Sequence, residues 1–303
     1  MELQPRPLAF DPSALDGLSE RLLSSHHENN YTGAVKHLNA IRQQLTHLDW
    51  LTAPVFLING MKREELIAAN SAWLHELYFD TLGGNGVLPD NGLAVAIARD
   101  FGSADRWCTE FVALAKAMGG GSGWALLSWS PRDARLVTHW ASDHTHLLAG
   151  ATPLLALDMY EHAYHMDFGA KASAYVDTYM TNIRWEAVLR RYSAAIEGDA
   201  RPWSVQAMEA GKNAQLVDVR RVADYAQGAD RLMGAIWRDP VRLDDWCREL
   251  NASLPVQVYC VHGRDVSRAA ALALRACGFD ARFVAGGIEA CRAAGASFEA
   301  KEE

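Results

Sequence analysis

Apolar residues recur at helical spacing through the first part of the chain and predict a series of amphipathic helices. The stripe from Leu15 to Leu23 predicts a first helix with Ser13 as its N-cap. Equivalent stripes predict further helices over residues 34–48, 63–82 and 105–118. Glycine-rich runs at 83–86 and 119–123 are expected to end the last two of them.

The pattern changes from helices to strands after residue 123. Short apolar runs at 124–129, 136–140 and 154–157 predict a three-stranded antiparallel sheet, and a Ser-Pro-Arg-Asp turn joins the first two. A long helical segment over 170–196 follows. Helices, then an antiparallel sheet, then a helix are typical of an α+β domain.

A shorter alternation of strand and helix begins after residues 197–202, whose composition predicts a linker. The predicted strands lie at 216–219, 256–261 and 282–284, and the predicted helices lie at 222–226, at 267–277 and after Gly287. Such alternation is typical of a small α/β domain with a parallel sheet. The 303 residues are therefore expected to form an α+β domain over 1–196 and an α/β domain over 203–303.

Composition excludes several classes of function. Half of the residues are hydrophobic and 22% are charged, so the chain can bury sizeable cores. A formal net charge of −8 provides no basic field, which argues against nucleic acid or an anionic membrane as a partner. Five cysteines at scattered spacing do not form a disulfide framework, so we expect a reducing cytoplasm.

Four residues of the first domain have the chemistry of metal ligands. Asp158 and His162 lie four residues apart after an apolar strand, a spacing that brings both side chains to one side of a turn. His26 and His75 lie on predicted apolar helices. A histidine in an apolar helix is more often a structural core residue than a ligand, so at this stage both interpretations stand.

Five segments in order resemble the iron/manganese superoxide dismutases over residues 1 to about 195. They are His26 at the end of the first helix, Trp73-Leu74-His75, Gly121-Ser122-Gly123-Trp124, Asp158-Met159-Tyr160-Glu161-His162-Ala163-Tyr164 and Asn182-Ile183-Arg184-Trp185-Glu186. The resemblance implies a helical part over 1–88, which forms a hairpin, followed by an α/β part over 89–196 with a three-stranded antiparallel sheet. It also implies that the protein disproportionates superoxide.

The same resemblance implies a set of ligands and an assembly. The ligands would be His26, His75, Asp158 and His162, around one iron ion per subunit, with manganese as the alternative. In the family, the glutamate at the position of Glu161 reaches the metal histidine of the partner subunit. A homodimer through the first domain is therefore expected, with further pairing to a tetramer left open.

Residues around the ligands are also implied by the resemblance. His144 aligns with the sheet-side position from which the family holds the bound solvent, and histidine there is associated more with iron. Trp124 and Trp185 would form apolar walls, and His165 replaces the final tyrosine of the motif. Two departures are Ala34, in place of a gateway tyrosine, and Asn30, in place of a histidine near the substrate funnel. Tyr31 is the candidate to supply the missing hydroxyl.

A cysteine loop in the second domain has the features of a reactive thiol. Cys260 ends a predicted parallel strand and precedes a short loop and a helix, so backbone amides and the helix N-terminus can lower the pKa of its thiol. Cysteine is also commonly just a small buried residue, and that alternative stands.

Residues from about 203 to 297 resemble a rhodanese domain, which implies that Cys260 accepts sulfane sulfur as a persulfide. The loop implied to cradle that sulfur consists of Val261, His262, Gly263, Arg264, Asp265 and Val266. Related phosphatases have arginine at the position of Val266, so phosphatase chemistry is disfavoured. Many sulfurtransferases have arginine at the position of Asp265, so thiosulfate fits poorly as the sulfur donor.

Three functional hypotheses follow from these two domains. The first is a cytoplasmic superoxide dismutase carrying a rhodanese-like domain. The second is oxidation of sulfide or persulfide at the metal, with Cys260 as the sulfur carrier. The third is a rhodanese-like module that has no catalytic role and senses redox state or binds a partner.

Overall fold

The helices that precede the first strand pack mainly as a long hairpin. A computed structural model describes residues 2–301, so the outermost ends of the two predicted domains lie outside it. Its first five helices are α1 (Glu20–Ser25), α2 (Thr32–Thr46), α3 (Val55–Asp80), α4 (Gly92–Phe101) and α5 (Ala104–Ala117), with a π-helical turn over His26–Tyr31 between α1 and α2. Leu38, Ile41 and Leu45 of α2 pack against Ala68 and Ala69 of α3.

The start of α1 differs from the prediction. Ser19, not Ser13, is the N-cap, and its Oγ accepts a hydrogen bond from Leu22 N at 3.1 Å. Ser13 lies in a separate 3₁₀ turn over Pro12–Ala14. Gly17 has φ = +77°, a left-handed conformation that interrupts the helix predicted from the leucine stripe.

Helix α4 was not predicted from the sequence. Asn91 caps it, with Oδ1 accepting from the backbone N–H groups of Leu93 and Ala94. Leu93, Ala96 and Ile97 form its buried face. The sequence does carry a helix signal here, a capping residue followed by a short apolar stripe. The start of this helix also lines the cavity at Cys260.

The first sheet confirms the predicted architecture. It is antiparallel, with the strand order β2-β1-β3, where β1 is Trp124–Ser130, β2 is Arg135–Ala141 and β3 is Thr152–Asp158. Every residue of β1 is buried. Three helices follow: α6 (His165–Phe168), α7 (Ala172–Thr181) and α8 (Trp185–Ala200).

The single helix predicted over 170–196 is two helices. Arg184 N donates to Thr81 O at 2.8 Å, and Ile183 forms an isolated β-bridge with Leu82. This tertiary pairing holds residues 182–184 out of helical conformation, which helical periodicity along the sequence cannot reveal.

The segment predicted as a linker is largely helical. Residues 197–200 form the last turn of α8, and a 3₁₀ turn over Arg201–Trp203 follows directly. Trp129 Nε1 donates to Asp199 Oδ2 at 2.7 Å, so this stretch is held by a specific contact. The polar composition that predicted a linker is that of a partly exposed helix end.

The last third of the chain contains the predicted parallel sheet. Its order is β4-β9-β8-β5-β7, and every pairing is parallel. The elements of this region are β4 (Ser204–Val205), β5 (Gln215–Asp218), α9 (Val222–Gln227), β6 (Asp230–Leu232), β7 (Ile236–Trp237), α10 (Leu243–Trp246), β8 (Val256–Tyr259), α11 (Asp265–Ala276), β9 (Ala281–Val284), α12 (Gly287–Ala293) and β10 (Phe298–Ala300). Strands β6 and β10 form a separate antiparallel pair.

Contact density divides the chain into two compact units that do not follow the order of the sequence. The first contains the chain up to Leu88 together with 108–128 and 138–188. The second contains 89–107, 129–137 and the chain from Leu189 onward. No helix among residues 2–301 is long and apolar enough to cross a membrane.

A buried ion pair lies at the end of β5 in the second unit. Arg220 Nε donates to both oxygens of Asp218 at 3.0 and 2.9 Å, and Tyr259 Oη donates to Asp218 Oδ2 at 3.1 Å. Both charged side chains are almost fully buried. Each therefore depends on the other for compensation of its charge.

We predict that Asp218→Ala lowers the free energy of unfolding by about 3–5 kcal/mol, because it leaves the Arg220 guanidinium buried without its counter-charge. Urea unfolding followed by circular dichroism measures this change. Asp245→Ala is the matched control, since Asp245 and its partner Arg242 are both mostly exposed and the loss is expected to stay below about 1 kcal/mol. Equal losses in the two variants would contradict the prediction.

Candidate metal centre

The four residues predicted as metal ligands lie together in the first unit. His26 opens the π-helical turn, His75 lies in α3, Asp158 ends β3 and His162 lies in the 3₁₀ turn Glu161–Ala163. Their potential ligand atoms all lie within 4.8 Å of one another. All but His162 are almost completely buried.

The three imidazoles converge on one carboxylate oxygen. The distances to Asp158 Oδ2 are 3.1 Å from His26 Nε2, 3.2 Å from His162 Nε2 and 3.4 Å from His75 Nε2. The Nε2 atoms of His75 and His162 are 3.5 Å apart. Three nitrogen ligands and one oxygen ligand therefore surround a small shared space.

The hydrogen bonds of His75 show that this space suits a cation. Its Nδ1 lies 2.7 Å from the carbonyl oxygen of Ser71, which can only accept, so Nδ1 carries the proton. In the neutral ring, Nε2 then presents a lone pair to the Asp158 carboxylate. Two lone pairs facing each other repel, and a bound cation converts that repulsion into coordination.

Burial favours the neutral form of the His75 and His26 imidazoles. Burial lowers the pKa of His75 to about 3, and it also lowers the pKa of His26. Burial alone would raise the pKa of Asp158, but hydrogen bonds and charges from His162 and His26 outweigh it and hold that pKa well below its usual range. His75 and His26 therefore offer neutral nitrogens near neutral pH, beside the ionised Asp158 carboxylate.

Local backbone geometry explains why Asp158 and His162 meet. Asp158 Oδ1 accepts from Tyr160 N at 2.9 Å, which fixes the carboxylate and turns the chain as β3 ends. The following 3₁₀ turn brings His162 back over Asp158. The four-residue spacing noted in the sequence is thus realised as a tight turn.

A second layer of aromatic residues surrounds the ligands. Trp124 Nε1 donates to His144 Nδ1 at 2.9 Å, and the Trp124 ring meets His75 edge-on at 5.2 Å between centroids. Tyr160 stacks on both His144 and His162, at 5.1 and 5.4 Å. Because burial lowers the pKa of His144 and its Nδ1 accepts, its Nε2 carries the proton and can donate.

Tyr31 has defined partners on α3 and on the N-terminal segment. Its hydroxyl donates to Glu76 Oε1 at 3.0 Å and accepts from Arg6 N at 2.8 Å. Burial is the main cause that raises the pKa of its phenol. Sequence reasoning did not identify Glu76 as the partner of this hydroxyl, because nothing in the local sequence links the two residues.

The remaining residues singled out in the first domain fall into three environments. Glu161 and His165 are exposed beside the ligand turn. Trp185 is buried, and its indole N–H donates to Gly86 O at 3.0 Å. Ala34 is half-buried in α2, one turn after Asn30.

Cys260 follows strand β8 in the second unit, as predicted. It is 6% exposed, its Sγ lies 3.2 Å from Ser267 Oγ, and its carbonyl accepts from Ile288 N at 2.9 Å. Gly263 has φ = +64°, and a Cβ there would lie 2.6 Å from Gly286 N, so the tight loop requires glycine. Helix α11 begins beside the sulfur, at Asp265.

The other residues of this loop differ in their contacts. His262 is exposed and pairs with Glu289 at 2.7 Å, and Arg264 is exposed. Asp265 Oδ2 accepts from Ser193 Oγ at 2.9 Å, and burial raises the pKa of its carboxyl. Val261 and Val266 line the same cavity as Cys260. Sequence reasoning missed Ser267, although its position one turn into α11 faces the sulfur.

Comparison with known families separates two parts of the chain. Residues 89–191 match the family model for the C-terminal domain of iron/manganese superoxide dismutases. Residues 202–294 match the model for the rhodanese-like domain. Both matches agree with the resemblances drawn from the sequence motifs.

Similar proteins cover the first two thirds of the chain. A protein of Cupriavidus metallidurans named "Superoxide dismutase [Fe]" is 62% identical over 196 residues, which are 65% of this chain and 99% of that protein. "Superoxide dismutase [Fe]" of Aquifex pyrophilus is 33% identical over 204 residues, 65% of this chain and 93% of that protein. "Superoxide dismutase [Mn] 1" of Halobacterium salinarum is 31% identical, with 65% and 98% covered.

We predict that the metal-free protein loses stability as the pH falls. The folded-state pKa of His75 lies below its unfolded value, so its contribution is present above about pH 6.5 and is lost towards about pH 3. The expected slope is about 1 kcal/mol per pH unit in this window. Urea unfolding after removal of metal by chelation measures it.

The matched variant for this experiment is His75→Gln, which cannot take up a proton. Its unfolding free energy should vary less with pH than that of the wild type over the same window, whatever its absolute stability. Parallel curves for the two proteins would contradict the assignment of a neutral, buried His75.

Proposed function

The chain belongs to the iron/manganese superoxide dismutase family over 65% of its length, and we propose that it disproportionates superoxide to dioxygen and hydrogen peroxide. The proposed cofactor is one iron ion per subunit, with manganese as the alternative. The observation that carries this proposal is the convergence of His26, His75, Asp158 and His162 within 4.8 Å. When bound, the metal supplies one-electron redox chemistry, which the side chains themselves cannot supply.

The charge of the ligand set suits an anionic substrate. Three neutral imidazoles and one carboxylate contribute a single negative charge, so they do not cancel the charge of a divalent or trivalent ion. Superoxide is therefore attracted to the filled site. The burial of Asp158 and His75 strengthens this attraction, because little water remains to screen it.

His144 is the proposed proton donor at the site. Trp124 fixes its ring and its tautomer, which leaves Nε2–H free to donate a hydrogen bond. Its stack with Tyr160, itself stacked on His162, holds that donor beside the ligands. Proton supply to the reduced product is the role that this geometry supports. Tyr31, with its hydroxyl bound between Glu76 and Arg6, is the proposed second group on the proton route.

We predict that Asp158→Asn lowers metal content and superoxide removal together, each by at least about tenfold, because the only anionic ligand is lost. Elemental mass spectrometry and a superoxide assay on the same sample measure both quantities. His144→Leu is the informative companion, since it leaves all four ligands in place. It should keep its metal and lose turnover.

Asp177→Asn serves as the control, because Asp177 is an exposed residue paired with Lys116. It should keep both metal and activity. A fully metal-loaded Asp158→Asn protein, or an inactive wild type with a full complement of iron or manganese, would contradict the proposed function.

The proposed assembly is a homodimer formed through the first part of the chain. Exposed Glu161 and His165 adjoin His162, so a partner subunit that covers this turn would complete the surroundings of the site. Sedimentation of the purified protein tests the proposal, and a monomer at micromolar concentration would contradict it. The free cysteines fit the reducing cytoplasm that we propose as its compartment.

A second candidate function concerns Cys260, which we propose carries sulfane sulfur as a persulfide. Three observations favour it: the match of residues 202–294 to the rhodanese-like domain, the position of the thiol before helix α11, and its hydroxyl neighbour Ser267. Backbone amides at a helix start stabilise a negatively charged sulfur.

We predict that Cys260→Ser abolishes persulfide formation while superoxide removal is unchanged, because the variant leaves the metal ligands intact. Whole-protein mass after exposure to a sulfur donor, with and without a reductant, measures the added sulfur. Cys291→Ser is the matched control, since Cys291 is also buried but does not line the Cys260 cavity. A persulfide that persists in Cys260→Ser would place the sulfur elsewhere.

A further inference from the structure

A cavity of about 190 Å³ opens at Cys260, and its lining comes from two distant parts of the sequence. One side is the cysteine loop itself. The opposite side includes Asp90, Asn91 and Gly92, at the start of α4, which lie within the stretch that matches the superoxide dismutases. Both sides belong to the same compact unit.

The backbone at Gly92 packs directly against the cysteine loop. A Cβ built on Gly92 would lie 2.5 Å from Asp265 Cβ, a distance that folded proteins do not tolerate. Ser193 of α8 holds the carboxylate of Asp265 at 2.9 Å. Asp265 therefore attaches the cysteine loop to α4 and α8.

Arg221 contacts Asp90, which lies just before α4, and also contacts Asp224. Its guanidinium donates to Asp90 O at 2.7 Å, pairs with Asp90 Oδ1 at 3.2 Å and makes a two-pronged contact with Asp224. Two carboxylates thus compensate its charge. Since the Asp90 side chain is 79% exposed, it lies at the rim of the cavity.

The charges around the cavity disfavour an anionic donor. The cavity is lined by three carboxylates (Asp90, Asp224 and Asp265), two guanidinium groups (Arg221 and Arg264) and His262, whose ring pairs with Glu289. Arg221 is already paired with both Asp90 and Asp224. The volume is below that of sites for drug-sized ligands. The space therefore suits a small molecule without net negative charge.

We propose that Asp90–Gly92 form a specificity-determining wall of the Cys260 site, and that this acidic wall selects a small zwitterionic or cationic persulfide over thiosulfate. The inference rests on the proposed sulfur chemistry of Cys260. The Cys260 thiolate attacks the outer sulfur of R–S–SH. A new S–S bond forms on Cys260, the bond in the donor breaks, and its electron pair leaves with R–S⁻. The exchange needs no external oxidant.

The wall is tested with two thiol reagents of similar size and opposite charge, 2-aminoethyl and 2-sulfonatoethyl methanethiosulfonate. Peptide mass spectrometry of the full-length protein gives the rate of each at Cys260, and exposed Cys277 serves as the internal reference. The cationic reagent should be favoured at Cys260 relative to Cys277. Asp90→Asn should reduce that preference roughly threefold at an ionic strength of about 0.01 M.

Asp177→Asn is the matched control, since it removes the same charge from an exposed site that does not line the cavity. It should leave the preference unchanged. An Asp90→Asn protein with the wild-type preference, or a wild type that favours the anionic reagent, would contradict the proposal that Asp90–Gly92 select the donor by its charge.

The donor is tested by loading the wild type with cysteine persulfide or with thiosulfate and measuring the sulfur added to Cys260. Faster loading by cysteine persulfide, with a smaller advantage in Asp90→Asn, is the expected result. Faster loading by thiosulfate would overturn the selectivity. If neither donor loads Cys260 while the reagent preference still depends on Asp90, the proposal that Cys260 carries sulfane sulfur is wrong. The charge selection by Asp90–Gly92 would then still be supported.

Discussion

A contact that is unfavourable by itself lies at the centre of the first part of this molecule: the lone pair of a histidine nitrogen faces a carboxylate oxygen. His75 Nε2 and Asp158 Oδ2 are 3.4 Å apart with no proton to share, because the proton of His75 is bound to Ser71 O. The packing of α3 against β3 brings these two atoms together. Metal binding and folding are therefore linked, since a cation turns the repulsion into a stabilising interaction.

Because metal binding requires ligand atoms in defined positions, many of the groups around the site orient the ligands or their neighbours. Ser71 acts through its backbone carbonyl, which fixes the tautomer of His75, and Tyr160 acts through its backbone N–H, which fixes Asp158. Trp124 determines which nitrogen of His144 carries a proton. The contacts of His75 and His144 determine which ring nitrogen carries the proton, and the contact of Asp158 orients its carboxylate. A redox site with fixed ligands requires such defined geometry.

The sequence predicted what is local or strongly patterned. Asp158 and His162 could be paired from their spacing alone, because one turn of backbone joins them. His26 and His75 could be placed beside them only through the resemblance to a known family. The α+β and α/β classes of the two domains followed from the alternation of elements and are confirmed. The break at 182–184 could not be predicted, since it is caused by the pairing of Arg184 with Thr81.

The close packing of Gly92 against Asp265 has an evolutionary consequence. The aligned 196 residues make up 99% of the Cupriavidus protein, so that relative has almost no chain left for a second domain. A chain without the rhodanese-like part has no residue equivalent to Asp265 against which the start of this helix could pack. Fusion to the rhodanese-like part ties positions 90, 92, 193, 221 and 265 together, so that a change at one alters which residues are acceptable at the others. In chains of this architecture, these positions should covary across the boundary between the two families.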